Sequence, residues 1–280
     1  MKNFFLCSFA SDDLHRSKIR FVKQASEMNI YDDIKVFHFD DLTEEKKKQI
    51  NFFLDKRNKR LFGYACWKSE IILSYLSKIP ENAILQYSDI GCVFNPRGIN
   101  RLIKYTEITD DKEILTFNYS KPNHYFNQNF KYQVYKEYQY TKADLWKYLG
   151  IDSDSQILKT EQVLSGVMFF KNNMFTKKIL NEWNDICKIN NLIDDSDSVI
   201  KNHKDFVEHR HDQSVFSLIC KKNNIFHLSA SECEWAEFQN KKTWIHLKDY
   251  PILAMRDKKL NFLRRFISRQ KKNIKRLFKI

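Results

Sequence analysis

The chain is short of the residues that make linkers, tight turns and phosphate cradles, with 5 glycines and 4 prolines in 280 residues. So few breakers exclude collagen-like, Pro-rich and Gly/Ser-linker segments, and the length suits one large domain or one domain with an appendage. No glycine-rich turn follows the first apolar run, where the sequence reads FASDD (9–13), and no Walker A loop is present. Neither dinucleotide-fingerprint nor P-loop chemistry is therefore supported. The six cysteines (Cys7, Cys66, Cys92, Cys187, Cys220, Cys233) include no C-x-x-C pair. That spacing argues against a zinc ribbon and a disulfide framework, and a reducing cytoplasm is the natural compartment. No run approaches the ~18 apolar residues of a membrane span. The opening MKNFFLCSFASDD faintly imitates a signal peptide, but Asp12 and Asp13 end it too soon and a buried first strand explains it better.

What is abundant is apolar and aromatic: 42% of residues are hydrophobic and 15% aromatic, enough for a sizeable core. The net charge of +13 is unevenly placed. From Arg256 to Ile280 there are eleven Lys or Arg against the single acid Asp257, a net +10, which leaves +3 for residues 1–255. The chain divides into a near-neutral body, 1–255, and a basic tail, 256–280.

Periodicity organises the body. Phe4–Phe9 reads as a strand buried on both faces, followed by a helix that Ser11-Asp12-Asp13 would cap. Ile34–Phe39 is a second strand, Leu42–Leu54 and Trp67–Leu76 are helices, and Ala83–Tyr87 is a third strand. That β-α-β-α-α-β order predicts a mostly parallel central sheet flanked by helices, an α/β fold. A helix over 98–105, a strand over Glu113–Asn118, a strand Gln162–Phe170 interrupted at Gly166 and a helix over Met174–Ile189 follow. Segment 119–141 has no clear period and reads as an irregular insertion whose aromatics Tyr119, Tyr125, Phe126 and Tyr132 either stack on a sugar or pack the loop. A polar loop (194–198) precedes a helix beginning at Asp212, and Ile225–Leu228 and Thr243–Leu247 read as closing strands.

One stretch carries chemistry. ILQYSDIGC (84–92) sends an apolar strand into a lone acid, Asp89, and breaks at Gly91. Strand interiors disfavour both residues, so the strand ends there, at the edge where open α/β sheets bind ligands. A single such acid is also a common turn former. HRHD (209–212) invites a metal-hydrolase reading through His209 and His211, but no further ligand follows. Local hydrogen bonding at a helix entry accounts for both histidines.

Five segments in order, IRFVKQA (19–25), GYACWKSEIIL (63–73), ILQYSDIGC (84–92), TEQVLSGVMFF (160–170) and RHDQSVFSL (210–218), resemble bacterial GT-A-type glycosyltransferases. The nearer resemblance is to capsule and lipopolysaccharide enzymes with a Y-x-D-x-G motif. The more distant one is to the glycogenin and lipooligosaccharide galactosyltransferase family. The similarity spans about residues 3–250. It implies a GT-A-like single domain and transfer of a sugar from a nucleotide sugar, a UDP-sugar by analogy, to a surface-glycan acceptor such as a lipopolysaccharide, lipooligosaccharide or capsule precursor. It also implies Mn²⁺ or Mg²⁺ at Asp89, because a hard cation prefers carboxylate oxygen and neutralises the leaving diphosphate. The second acid of the relatives' Asp-x-Asp is Gly91 here, so either a distant ligand such as His246 completes the metal site or Arg20 and Lys68 meet the phosphate charge. By the same resemblance, Phe9, Ala10 and Ser11 border the nucleobase and ribose, and Tyr87, Ser88, Asp89, Gly91, Ser165 and Gly166 line the donor. Asp212 and Gln213 lie beside the sugar and acceptor, Asp212 orienting the sugar or acting as general base. Helix capping is the plainer role for Asp212, and Trp67 suits the core equally well.

In the tail, Leu260, Leu263, Phe266, Ile267, Ile274, Leu277 and Phe278 recur at helical spacing among the basic residues. A basic amphipathic helix lies well on an anionic membrane surface, which predicts a protein peripheral on the inner face of the cytoplasmic membrane. The rival from another class is a non-catalytic basic protein that binds nucleic acid or membrane through this tail. The near-neutral body and the lack of a nucleic-acid motif disfavour nucleic acid.

Overall fold

A computed structural model describes residues 3–55, 60–122 and 129–256. The tail from Asp257 onward and the loop aromatics Tyr125 and Phe126 lie outside the described residues. The chain has the expected class: helices cover a central six-stranded, mostly parallel sheet.

The first half follows the pattern closely. β1 (Phe4–Phe9) leads through a 3-10 turn at Asp12–Leu14 into α1 (His15–Glu27). Ser11 does not cap it; its Oγ donates to Asp13 Oδ1 at 2.5 Å. β2 (Asp33–Phe37), α2 (Glu44–Asp55), α3 (Lys68–Leu76) and β3 (Ile84–Ser88) come next, then β4 (Val93–Phe94) and α4 (Ile99–Lys112). α4 runs past Tyr105 because Leu102, Tyr105, Thr106 and Thr109 keep one face buried at helical spacing.

β5 (Ile114–Asn118), β6 (Lys131–Tyr132), β7 (Val163–Lys171), α5 (Met174–Cys187), α6 (His211–Lys222), β8 (His227–Ser229), β9 (Ala236–Phe238), β10 (Lys241–Thr243) and β11 (Ile252–Leu253) follow, with short helical segments at Glu137–Tyr140, Ala143–Tyr148 and Asn190–Ile193 between them. The expected strand over Thr243–Leu247 is not one element: Lys241–Thr243 pairs with β9, and Ile245–Leu247 is a 3-10 turn. Gln239 and Asn240, both at positive φ (50° and 59°), close a tight hairpin that keeps this segment in a small antiparallel sheet with β6.

The main sheet has the order β2-β1-β3-β7-β5-β8. β1 is parallel to β2 and β3, and β5 to β8, while β7 is antiparallel to both its neighbours. The carboxyl ends of five strands and the amino end of β7 therefore share one edge. β7 is not broken at Gly166, as the sequence suggested, but its register against β5 shifts between Leu115 and Phe117. Val163 and Leu164 face opposite halves of the core, and the alternation resumes out of step at Val167, which marks a bulge around Gly166.

The sheet separates two apolar halves. α2, α3, α5 and α6 bury Phe53, Ile72, Leu180, Trp183 and Phe216 on one side; α1 and α4 bury Phe21, Ala25, Leu102 and Tyr105 on the other. Each large side chain so removed from water contributes on the order of 1.5–3 kcal/mol. All six cysteines are free and buried: Cys7, Cys66, Cys187 and Cys220 in the first half, Cys92 and Cys233 in the second.

Five consecutive residues ahead of α3 are left-handed: Leu61 (φ 50°), Phe62 (51°), Gly63 (80°), Tyr64 (56°) and Ala65 (55°). Such backbone costs roughly 1–2 kcal/mol per non-glycine residue. Burial of Tyr64 and Ala65, a ring contact of Phe62 with Phe9, and the bond from Trp67 Nε1 to Phe62 O (3.1 Å) offset it.

Candidate active site

The common edge gathers the chemistry. Asp89 leaves β3, its N–H bonded to Gly166 O of β7 at 2.9 Å and its O accepting from Cys92 N at 2.8 Å. This closes the turn that Gly91 was expected to make. Tyr87 Oη donates to Asp89 Oδ1 at 2.8 Å, and Lys68 Nζ stands 3.5 Å from the same oxygen. The other oxygen faces β7, where a Cβ at position 166 would lie 3.0 Å from Oδ2. Glycine is needed there for close approach. The Asp89 side chain nevertheless stays 52% exposed.

Beneath it lies a closed polar cluster. Lys68 and Asp212 side chains are 5% and 3% exposed and paired at 2.8 Å. Lys68 also donates to Ser165 O (3.1 Å) and Oγ (3.2 Å), and Ser165 Oγ donates to Asp212 Oδ2 at 2.9 Å. Burial pulls the Lys68 ammonium down, but Asp212 and Asp89 outweigh it and hold its pKa above the ordinary value. Burial pushes the Asp212 carboxyl up against the pull of Lys68. Trp183 Nε1 donates to Asp212 O at 3.1 Å, tying the start of α6 to α5. Asp212 Oδ2 is thus bonded by both Lys68 and Ser165. Gln213 turns to Gln162, Nε2 to Oε1 at 2.9 Å.

The remaining expected residues divide between edge and support. Phe9 stacks on Trp67 at 3.9 Å between ring centres, both buried with Ala10 and Ser11 at the end of β1. Ser88 is buried, its O accepting from Ser8 Oγ at 2.7 Å. Arg20 donates to Ile90 O (2.7 Å) and Cys92 O (2.5 Å), so it braces the turn after Asp89, and reaching a phosphate would mean releasing those carbonyls. His246 lies by the small sheet, its Nε2 3.1 Å from Glu234 O and its ring against Phe130 and Tyr132. His209 and His211 contact Leu192 O (2.9 Å) and Ile193 O (2.7 Å); burial lowers both pKa values, that of His211 to about 4. Among the described residues no group of three or more His, Cys, Asp or Glu could hold a metal ion.

The sequence did not flag the partnership of Lys68 with Asp212, whose two residues lie on separate helices. It also missed Glu234, a buried carboxylate beyond β8 whose signal was an acid between Cys233 and Trp235.

No family model and no curated protein matches the chain. Among solved structures it is similar to a glycosyltransferase involved in the glycosylation of the major capsid of PBCV-1, at 12% identity and TM-score 0.46, covering 90% of this chain and 91% of that one. It is also similar to mouse xyloside xylosyltransferase 1, at 9% identity and TM-score 0.42, covering 83% and 87%. A third similarity is to 4-diphosphocytidyl-2C-methyl-D-erythritol synthase from Anaerococcus prevotii, at 10% identity and TM-score 0.36, covering 87% and 93%.

Proposed function

We propose that the protein is a glycosyltransferase of GT-A type that moves a sugar from a nucleotide sugar to a glycan acceptor. The observation that carries the reading is Asp89: a half-open carboxylate at the carboxyl edge of a mostly parallel sheet, fixed by Tyr87 and Lys68 and pressed against the backbone at Gly166. An edge of this kind admits a nucleotide, and a carboxylate there suits a hard divalent cation. Mg²⁺ or Mn²⁺ would have Asp89 as its ligand from the protein, with diphosphate oxygens and water completing the set, and would neutralise charge on the leaving diphosphate. The chain's own residues do the positioning: Tyr87 and Lys68 orient Asp89, and the missing side chain at Gly166 leaves room for its Oδ2 against the strand.

The finer reading is a UDP-sugar donor and a lipid-linked precursor of lipopolysaccharide, lipooligosaccharide or capsule as acceptor. The +10 of residues 256–280 supports an anionic membrane surface, on the inner face of the cytoplasmic membrane, as the place of reaction. Among the described residues no helix is long and apolar enough to cross a membrane.

A thermal-shift screen of nucleotide sugars with and without Mn²⁺ tests the reading. A ligand at 100 times its Kd stabilises by about 2.7 kcal/mol, which raises Tm by several degrees. At least one nucleotide sugar should do so, with the shift reduced by EDTA and lost in Asp89→Asn. A flat response to every nucleotide sugar would overturn it.

A further inference from the structure

On the far side of β7 the same edge holds a second arrangement. Tyr119 leaves the carboxyl end of β5, and Glu234 follows the carboxyl end of β8 by five residues. The strand order β3-β7-β5-β8 sets both on the edge that carries Asp89. Arg256 feels both Glu234 and Asp89.

Tyr119 is 2% exposed, its ring held edge-on by Tyr135 at 4.6 Å, yet its Oη has no hydrogen-bond partner among the described residues. Buried hydroxyls are nearly always bonded, so an orphan of this kind points to an occupant from outside the chain. Glu234 is 4% exposed and weakly engaged: Trp235 N donates to Oε2 at 3.4 Å and Arg256 Nη2 stands 3.9 Å from Oε1. Burial raises its carboxyl above the ordinary range, while Arg256 and Lys242 pull it back. Both residues line one small pocket of about 10 Å³, room for a single oxygen-sized group, with Gln133, Ser231 and the half-buried indole of Trp235 at its rim.

The chemistry of the cleft selects its guest. A phosphate or carboxylate is too large for a space of that size, and an apolar group leaves both polar atoms unmet. A hydroxyl accepts from Tyr119 Oη and donates to Glu234, and an indole beside it suits the apolar face of a sugar ring. We propose that Tyr119 and Glu234 form a subsite that binds a hydroxyl group of a carbohydrate, with Trp235 against the ring. Hydroxyl binding stands on this geometry alone; naming it the acceptor side rests on the glycosyl-transfer reading above.

Saturation-transfer NMR on the full chain tests this with an equimolar mixture of the methyl glycosides of glucose, galactose, mannose and N-acetylglucosamine. Saturation should pass to at least one glycoside, and Tyr119→Phe and Glu234→Gln should each weaken that signal about tenfold, the step worth 1.4 kcal/mol. Tyr119→Phe removes an unbonded hydroxyl, so its Tm should stay level or rise. Absence of transfer to every glycoside would overturn the proposal, because water alone would then fill the cleft. Signals that survive both variants would do the same, as would a Tm drop in Tyr119→Phe, which would show the hydroxyl bonded within the protein. UDP-glucose binding by the wild type, followed separately, reports on the donor reading: its absence would sink that reading and leave the glycoside result interpretable.

Discussion

Lys68 touches two carboxylates with opposite surroundings. Asp212, at 2.8 Å, is enclosed with Ser165; Asp89, at 3.5 Å, opens to solvent. Enclosure makes the first interaction a matter of stability, because a buried charge that loses its partner has no water to turn to. Exposure makes the second weak for stability and available to a ligand. The same ammonium thus joins architecture to function, and effects on folding should fall in the order Lys68, Gly166, Asp89.

The largest effect on folding is expected from Lys68→Met, which strands Asp212 and should cost about 3–5 kcal/mol in urea unfolding. Adding Asp212→Leu should recover most of that loss, since an apolar pair tolerates burial. The pH dependence has a defined sign. Lys68 titrates above its ordinary 10.5 in the folded protein, so its contribution is complete below 10.5 and lost as pH rises through the higher folded value. Wild type should lose stability in that alkaline step, and Lys68→Met should lack the step.

Gly166→Ala comes next. The added methyl meets the movable end of Asp89 rather than backbone, so the cost should stay near the lower end of the 1–3 kcal/mol typical of overpacking. The displaced carboxylate should nonetheless weaken nucleotide-sugar binding, read by calorimetry at unchanged secondary structure. An unaltered Kd would break the link between Gly166 and Asp89.

The smallest folding effect belongs to Asp89→Asn, below about 1 kcal/mol because the pair with Lys68 is half-solvated. Its turnover should fall by about two orders of magnitude or more, as when a single charge-stabilising group is removed from other active sites. Near-normal turnover in that variant would dissolve the contrast between the two carboxylates.

The first half of the fold was legible because its apolar runs have the right period and length, and the place of Asp89 at the end of β3 was legible because an acid straight after a strand is a local signal. The direction of β7 was not, since VLSGVMFF reads the same for either orientation and direction is set by its neighbours. Arg20 looked like a cation for phosphate because the sequence cannot show that the carbonyls of Ile90 and Cys92 fold against it. The Lys68–Asp212 pair joins residues on α3 and α6, and no local period encodes such a meeting. Tyr119 was noticed as an aromatic ring, whereas the structure gives weight to its hydroxyl, and that depends on burial.

The six buried thiols turn the molecule into its own recorder of breathing. Burial raises the pKa of each, and a thiol without thiolate character and without access does not react. Alkylation must therefore wait for local or global opening. Because Cys92 and Cys233 sit on one side of the sheet and Cys7, Cys66, Cys187 and Cys220 on the other, the order in which tagged peptides appear by mass spectrometry tells which layer peels away first.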